Sequence, residues 1–163
     1  MESEPTEIRI VETPVTHPDA LAMIAGSEAW LSALYPPHER YALDPAELVT
    51  AGTRFAVAYD GAGEAARPVG CGGVAPFETG DERWAELKRV YADPAQRRRG
   101  IASALVRALE DIARDQGFHV MRLETGTKSP DALALYTRLG YRPRSPFGHY
   151  VENGSSVFME KPL

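Results

Sequence analysis

The chain has 163 residues, 44% hydrophobic and 25% charged, with a formal net charge of −5 at pH 7. These values describe one soluble globular domain over residues 1–163, able to bury a core without staples, and the acidic balance argues against wholesale nucleic-acid binding. Cys71 is the sole cysteine, which excludes an internal disulfide and suits a reducing, cytoplasmic setting; the acidic start Met1-Glu2-Ser3-Glu4-Pro5 is unlike a secretory signal, and no apolar run approaches a membrane span.

In chain order, Glu7 to Glu12 alternates and reads as an edge strand. Asp19 to Leu34 carries a helical apolar set that Tyr35-Pro36-Pro37 stops. Asp44 as N-cap and Pro45 at the first position predict a short helix to Thr50. Arg54 to Tyr59 and Pro68 to Phe77 read as strands around the turn Asp60-Gly61-Ala62-Gly63. Gly70, Gly72 and Gly73 point to a bulge or close backbone packing in the second of these. Trp84 to Ala92 is a strand, and Gly100 to Gln116 a helix with one apolar stripe that Gly117 closes. Phe118 to Glu124 is a strand, Ser129-Pro130 opens a helix to Leu139, and Val157 to Glu160 closes the sheet. The whole predicts an α/β fold: a mixed sheet flanked by helices, antiparallel hairpins first, with parallel pairing around the Trp84 and Phe118 strands. Pro143 to Gly154 is the one long irregular stretch, read as a mobile loop over a site.

The chemistry concentrates where the Trp84 strand meets the following helix. Arg97-Arg98-Arg99-Gly100-Ile101-Ala102 make an anion cradle: a helix start offers unpartnered N–H groups and the positive end of the dipole, and a glycine allows close approach. The cradle lacks the Gly-Lys-Ser/Thr ending of a P-loop and any Gly-x-Gly-x-x-Gly. Arg97-x-x-Gly100-x-Ala102 instead resembles the Arg/Gln-x-x-Gly-x-Gly/Ala signature of the GNAT superfamily, the acetyl-CoA-dependent N-acetyltransferases. Ala134 to Tyr141 resembles that family's A-x-x-L-Y-x-x-x-G-F/Y segment, and the likeness is strong from about 84 to 141.

The resemblance implies acetyl-CoA as co-substrate, its pyrophosphate on the amides of Arg98 to Ser103, with Arg97, Arg98 and Arg99 screening its charge. It implies that the strand Val90-Tyr91-Ala92 holds the pantetheine arm as an added strand and polarises the thioester carbonyl. It makes Tyr136 the proton donor to the departing thiolate, and Glu86 or Glu124 the base that deprotonates the amine. Glu86 is slightly favoured, on a strand face shared with Lys88 and Val90. Ser129 stands where the family often has Asn; it can hydrogen-bond the cofactor, though an N-cap serine is the safer reading.

Tyr35, His38, Phe147 and Tyr150 lie in irregular segments as weaker candidates for an acceptor pocket. His17, His38, His119 and His149 are too scattered for a metal site, so no metal is expected. The expectation is acetyl transfer to a primary amine, a small molecule in preference to a protein, by direct attack in a ternary complex. Its rival is an inactive CoA-binding sensor of the same fold, which would have no need of Glu86, Glu124 and Tyr136 together. Neither nucleic acid nor membrane is expected as a partner, and a homodimer stays open because dimers are common in the superfamily.

Overall fold

The computed structural model describes residues 7–39, 43–96 and 99–163. The elements run β1 (Ile8–Glu12), α1 (Pro18–Leu34), α2 (Pro45–Thr50), β2 (Arg54–Asp60), β3 (Arg67–Thr79), β4 (Glu82–Ala92), α3 (Ile101–Asp115), β5 (Val120–Gly126), α4 (Pro130–Arg138), β6 (Arg142–Arg144) and β7 (Ser156–Pro162). The helix starts are written in local chemistry. His17 Nδ1 accepts from the Asp19 amide, and α2 opens on a full capping box in which Asp44 and Glu47 bond each other's backbone amides. α3 and α4 turn back at Gly117 and Gly140, where the amides of Phe118 and Tyr141 return to the carbonyls of Ala113 and Tyr136.

The seven strands form one sheet in the order β1-β2-β3-β4-β5-β7-β6, with β1 at an edge as its alternation predicts. Among the described strands only β4 and β5 pair in parallel, as anticipated for the Trp84 and Phe118 strands. Helices α3 and α4 cover one face, where Ile101, Leu105, Val106 and Leu109 pack on Ala56, Ala58, Val69, Ala85 and Leu87. On the other face α1 and α2 bring Ala20, Ile24 and Leu48 against Phe55, Val57 and Cys71. Burying an aliphatic side chain is worth about 1.5–3 kcal/mol. These two apolar layers therefore hold the sheet that carries the site.

The stretch 143–154, read in the sequence as a mobile loop, begins inside β6 and is anchored beyond it. It sends Phe147 and Tyr150 into an aromatic cluster with Trp84 and Phe158, all buried. Alternating strand patterns do not reveal such a cluster, because Phe147 and Tyr150 come from irregular chain.

Candidate functional site

The parallel ladder between β4 and β5 lasts for only Ala85–Met121 and Glu86–Arg122. Beyond it the two strands diverge, and β4 continues to Ala92 with one edge lacking a neighbouring strand. The gap becomes a cleft of about 1030 Å³ lined by β4, β5, the start of α3, α4, the C-terminal half of α1 and Tyr150. Unpaired strand backbone inside a cleft is a ready template for an extended ligand.

A bulge shapes that edge. Gly73 pairs with Lys88 and Cys71 with Tyr91, so Arg89 and Val90 together oppose Gly72. Arg89 has φ 53°, a left-handed conformation costing about 1–2 kcal/mol for a side-chain-bearing residue. Its guanidinium offsets that cost: Nε donates to the Leu43 carbonyl at 2.8 Å and Nη2 pairs with Glu28 at 2.9 Å. The Cys71 thiol, pushed up to about 12 by burial, donates to the Arg89 carbonyl at 3.3 Å. The bulge also corrects the sequence reading of this strand. Glu86 and Lys88 share a face, but the extra residue turns Val90 to the opposite one, against the α3 layer.

At one end of the cleft lies the cradle. Arg97 and Arg98 fall outside the described residues. Arg99 lines the cleft but does not offer a bare charge: its guanidinium forks onto Asp60 at 2.7 and 3.1 Å and reaches Gln96 at 2.8 Å. That pairing holds the Asp60 carboxyl below its ordinary value. Gly100 sits at φ 70° as the N-cap of α3, and among the described residues, its chain neighbours aside, nothing stands within 4 Å of where a Cβ would be. The first amides of the helix, at Ile101, Ala102 and Ser103, line the cleft and precede the first intrahelical bond, from the Ala104 amide to the Gly100 carbonyl. The open space over Gly100 and these donors fit a diphosphate. Replacing Gly100 by Glu adds strain, a side chain and a negative charge at that spot. Calorimetry should then show acetyl-CoA affinity reduced at least about tenfold, with the circular dichroism spectrum retained.

At the other end two groups face the gap. Glu124, near the end of β5, is largely buried, and that burial raises its pKa above the ordinary carboxylate value. The Ser156 hydroxyl, at the start of β7, donates to its Oε1 at 2.8 Å, and among the described residues Oε2 has no hydrogen-bond partner. Ser156 is itself set by Asn153, whose Oδ1 accepts from the amides of Ser155 and Ser156 at 2.9 Å. Tyr136, on the inner face of α4, is buried but lines the cleft; among the described residues its hydroxyl has no hydrogen-bond partner. Burial and the nearby Glu124 push its pKa up, so the phenol holds its proton at neutral pH.

Glu86, slightly favoured in the sequence as the base, sits beneath the cleft at 1% exposure and does not line it. Trp84 Nε1 donates to one of its oxygens at 3.1 Å; the Tyr150 hydroxyl donates to the other at 2.6 Å, where the Lys88 ammonium is also paired. With both oxygens held, Glu86 anchors Tyr150, whereas Glu124 keeps one oxygen without a hydrogen-bond partner among the described residues.

The weaker acceptor candidates separate cleanly. Tyr150 and Tyr35 line the cleft, whereas exposed His38 and buried Phe147 do not. The Tyr35 hydroxyl accepts from the Lys128 amide at 2.7 Å, and a Cβ on Gly126 would stand only 1.9 Å from that oxygen. Glycine at 126 thus lets the end of α1 close over β5. Ser129 lines the cleft at the N-cap of α4 but makes no capping bond with its side chain. Sequence reasoning missed Lys88, Lys128, Ser156 and the anchoring role of Arg89. Only the bulge-prone glycines opposite Arg89 hinted at any of them.

Residues 20–141 match the sequence profile of the Acetyltransferase (GNAT) family. The chain belongs to the GNAT acetyltransferase family. Like its GNAT relatives it is an acyltransferase. It is 36% identical over 141 residues to the IAA acetyltransferase of Azospirillum brasilense, covering 86% of this chain and 88% of that one. A Klebsiella pneumoniae structure assigned as an acyl-CoA N-acyltransferase shares 35% identity, with a TM-score of 0.75 over 96% of this chain and 97% of the other. The PaiA N-acetyltransferase of Thermoplasma acidophilum, solved in complex with coenzyme A, has the same fold with a TM-score of 0.70 at 18% identity, covering 96% and 99% of the two chains. No helix among the described residues is long and apolar enough to cross a membrane.

Proposed function

We propose that this GNAT domain transfers an acetyl group from acetyl-CoA to a primary amine of a small molecule, by direct attack within a ternary complex. The observation that carries the reading is the pair Glu124 and Tyr136, a carboxylate with a raised pKa and a protonated phenol that line one cleft. Acetyl-CoA supplies the activated acyl group. The amides of Ile101 to Ser103 hold its diphosphate, and the unpaired edge of Val90 to Ala92 takes the pantetheine arm as a strand would. Backbone N–H groups on that edge, preset by the bulge, polarise the thioester carbonyl.

Glu124 removes the proton from the incoming ammonium, since a protonated amine has no lone pair with which to attack. Tyr136 gives its proton to the sulfur as the C–S bond breaks. Closure by Tyr35 on one side and Tyr150 on the other favours a compact acceptor over an extended peptide. The reading is tested by incubating the protein with acetyl-CoA and a panel of amines. Thiol release that depends on the amine, with the acetylated amine found by mass spectrometry, is the expected result. Tight acetyl-CoA binding without amine-dependent release would instead support the binding-only sensor.

A further inference from the structure

We infer that the acceptor is an amino acid with an apolar side chain, its carboxylate held by Lys128 and its side chain laid on Trp30 and Leu34. This rests on the acetyl-transfer reading above and narrows its substrate class. The first support is charge. Of the carboxylates that line the cleft, Asp93 caps the turn after β4 by accepting from the Ala95 amide, and Asp131 lies in the first turn of α4, where the helix dipole offsets it. Glu124 is left as the carboxylate positioned for an amine. A polyamine or an aminoglycoside would bring further cations to a wall that already carries Lys88 and Lys128, and like charges across an interface cost affinity.

The second support is Lys128 itself. Of the other cleft cations, Lys88 pairs with Glu86, Arg89 with Glu28 and Arg99 with Asp60, and Arg138 stands in the last turn of α4, whereas Lys128 follows Glu124 by four residues, just past the end of β5. Lys128 has no carboxylate partner among the described residues. Its Nζ donates to the Leu34 carbonyl at 3.1 Å, which leaves ammonium donors for an anion. The third support is the wall beside it. Trp30, 41% exposed, stands one helical turn before Leu34 on α1, and both line the cleft with Leu31 between them. An exposed indole at the mouth of a cleft is a platform for an apolar group.

The test compares acetyl-CoA turnover with leucine and phenylalanine, with their carboxamides, and with spermidine. The expected result is a kcat/KM for the acids about tenfold or more above the amides, with spermidine poorest. Lys128→Gln should bring the acid-to-amide ratio close to one. A ratio is read because loss of the Lys128 contact with α1 would lower both acceptors alike. Trp30→Ala should lower both by about tenfold through KM, with the ratio kept. Spermidine as the best acceptor, or an acid-to-amide ratio that Lys128→Gln leaves as it was, would overturn the assignment while acetyl transfer stands. A panel in which no amine is acetylated overturns the acetyl-transfer reading, and this one with it.

Discussion

Replacing Glu124 by Gln should lower kcat/KM for the amine about 10²- to 10³-fold at neutral pH, the loss expected when a general base is removed. The shape and burial of the side chain are kept, so acetyl-CoA affinity should hold. The variant should also lose the acidic limb that Glu124 sets in the kcat/KM profile, because the glutamine has no proton to titrate there. Its deficit should narrow above about pH 9–10, where an alkyl amine supplies its own lone pair. The direction of the wild-type limb follows from the surroundings of Glu124. Burial, the largest influence, raises its pKa; the Ser156 hydrogen bond and Lys88 lower it, and Glu86 raises it. Since the deprotonated form is the active one, wild-type activity should fall at a pH above the ordinary range for a glutamate. Ser156→Ala removes a lowering influence, so the limb should move to still higher pH, and Ser156→Thr should restore it. An intact acidic limb in Glu124→Gln would remove Glu124 from the role of base.

Tyr136→Phe should lower kcat about 10²-fold with little change in acetyl-CoA affinity. Among the described residues the hydroxyl has no partner to lose, so the melting temperature should stay close to that of the parent. The ring remains edge-on to Tyr141, at 5.7 Å between centroids. The contrast is with Tyr141, whose hydroxyl donates to buried Glu110 at 2.8 Å, where Lys161 also pairs. Tyr141→Phe should cost stability and leave the pH profile in place, because that carboxylate loses a buried donor. A single-turnover measurement in which Tyr136→Phe matches the parent would reduce Tyr136 to a core aromatic.

The elements that were legible in the sequence are those whose cause is local. Asp44 with Glu47, the apolar stripe of α3, and Gly117 and Gly140 beyond helix ends each announce themselves within a few residues. The cradle at Gly100 and the tyrosine of α4 were legible for the same reason, since each is a short motif on one element. The choice between Glu86 and Glu124 was not. It depends on Trp84, Lys88 and the distant Tyr150 occupying both oxygens of Glu86, and on Ser156 leaving one oxygen of Glu124. The face of Val90 escaped because simple alternation assumes an unbroken strand, and one left-handed residue reverses the count. Arg99 carried the right charge for a phosphate, but Asp60, 39 residues earlier, already held it.

Arg89 ties the reactive edge to a helix some sixty residues earlier in the chain. Its left-handed backbone is held because its guanidinium bridges Ser27 and Glu28 on α1 and the carbonyl of Leu43 just before α2. Were α1 to detach, residue 89 would lose Ser27 and Glu28, leaving the Leu43 carbonyl and the Cys71 thiol to hold the bulge. The site is thus assembled by docking rather than by the strand alone. On the mechanism proposed above, a chain melted at its first helix would keep Glu124 and Tyr136 in place but lose part of the support of the edge that polarises the thioester.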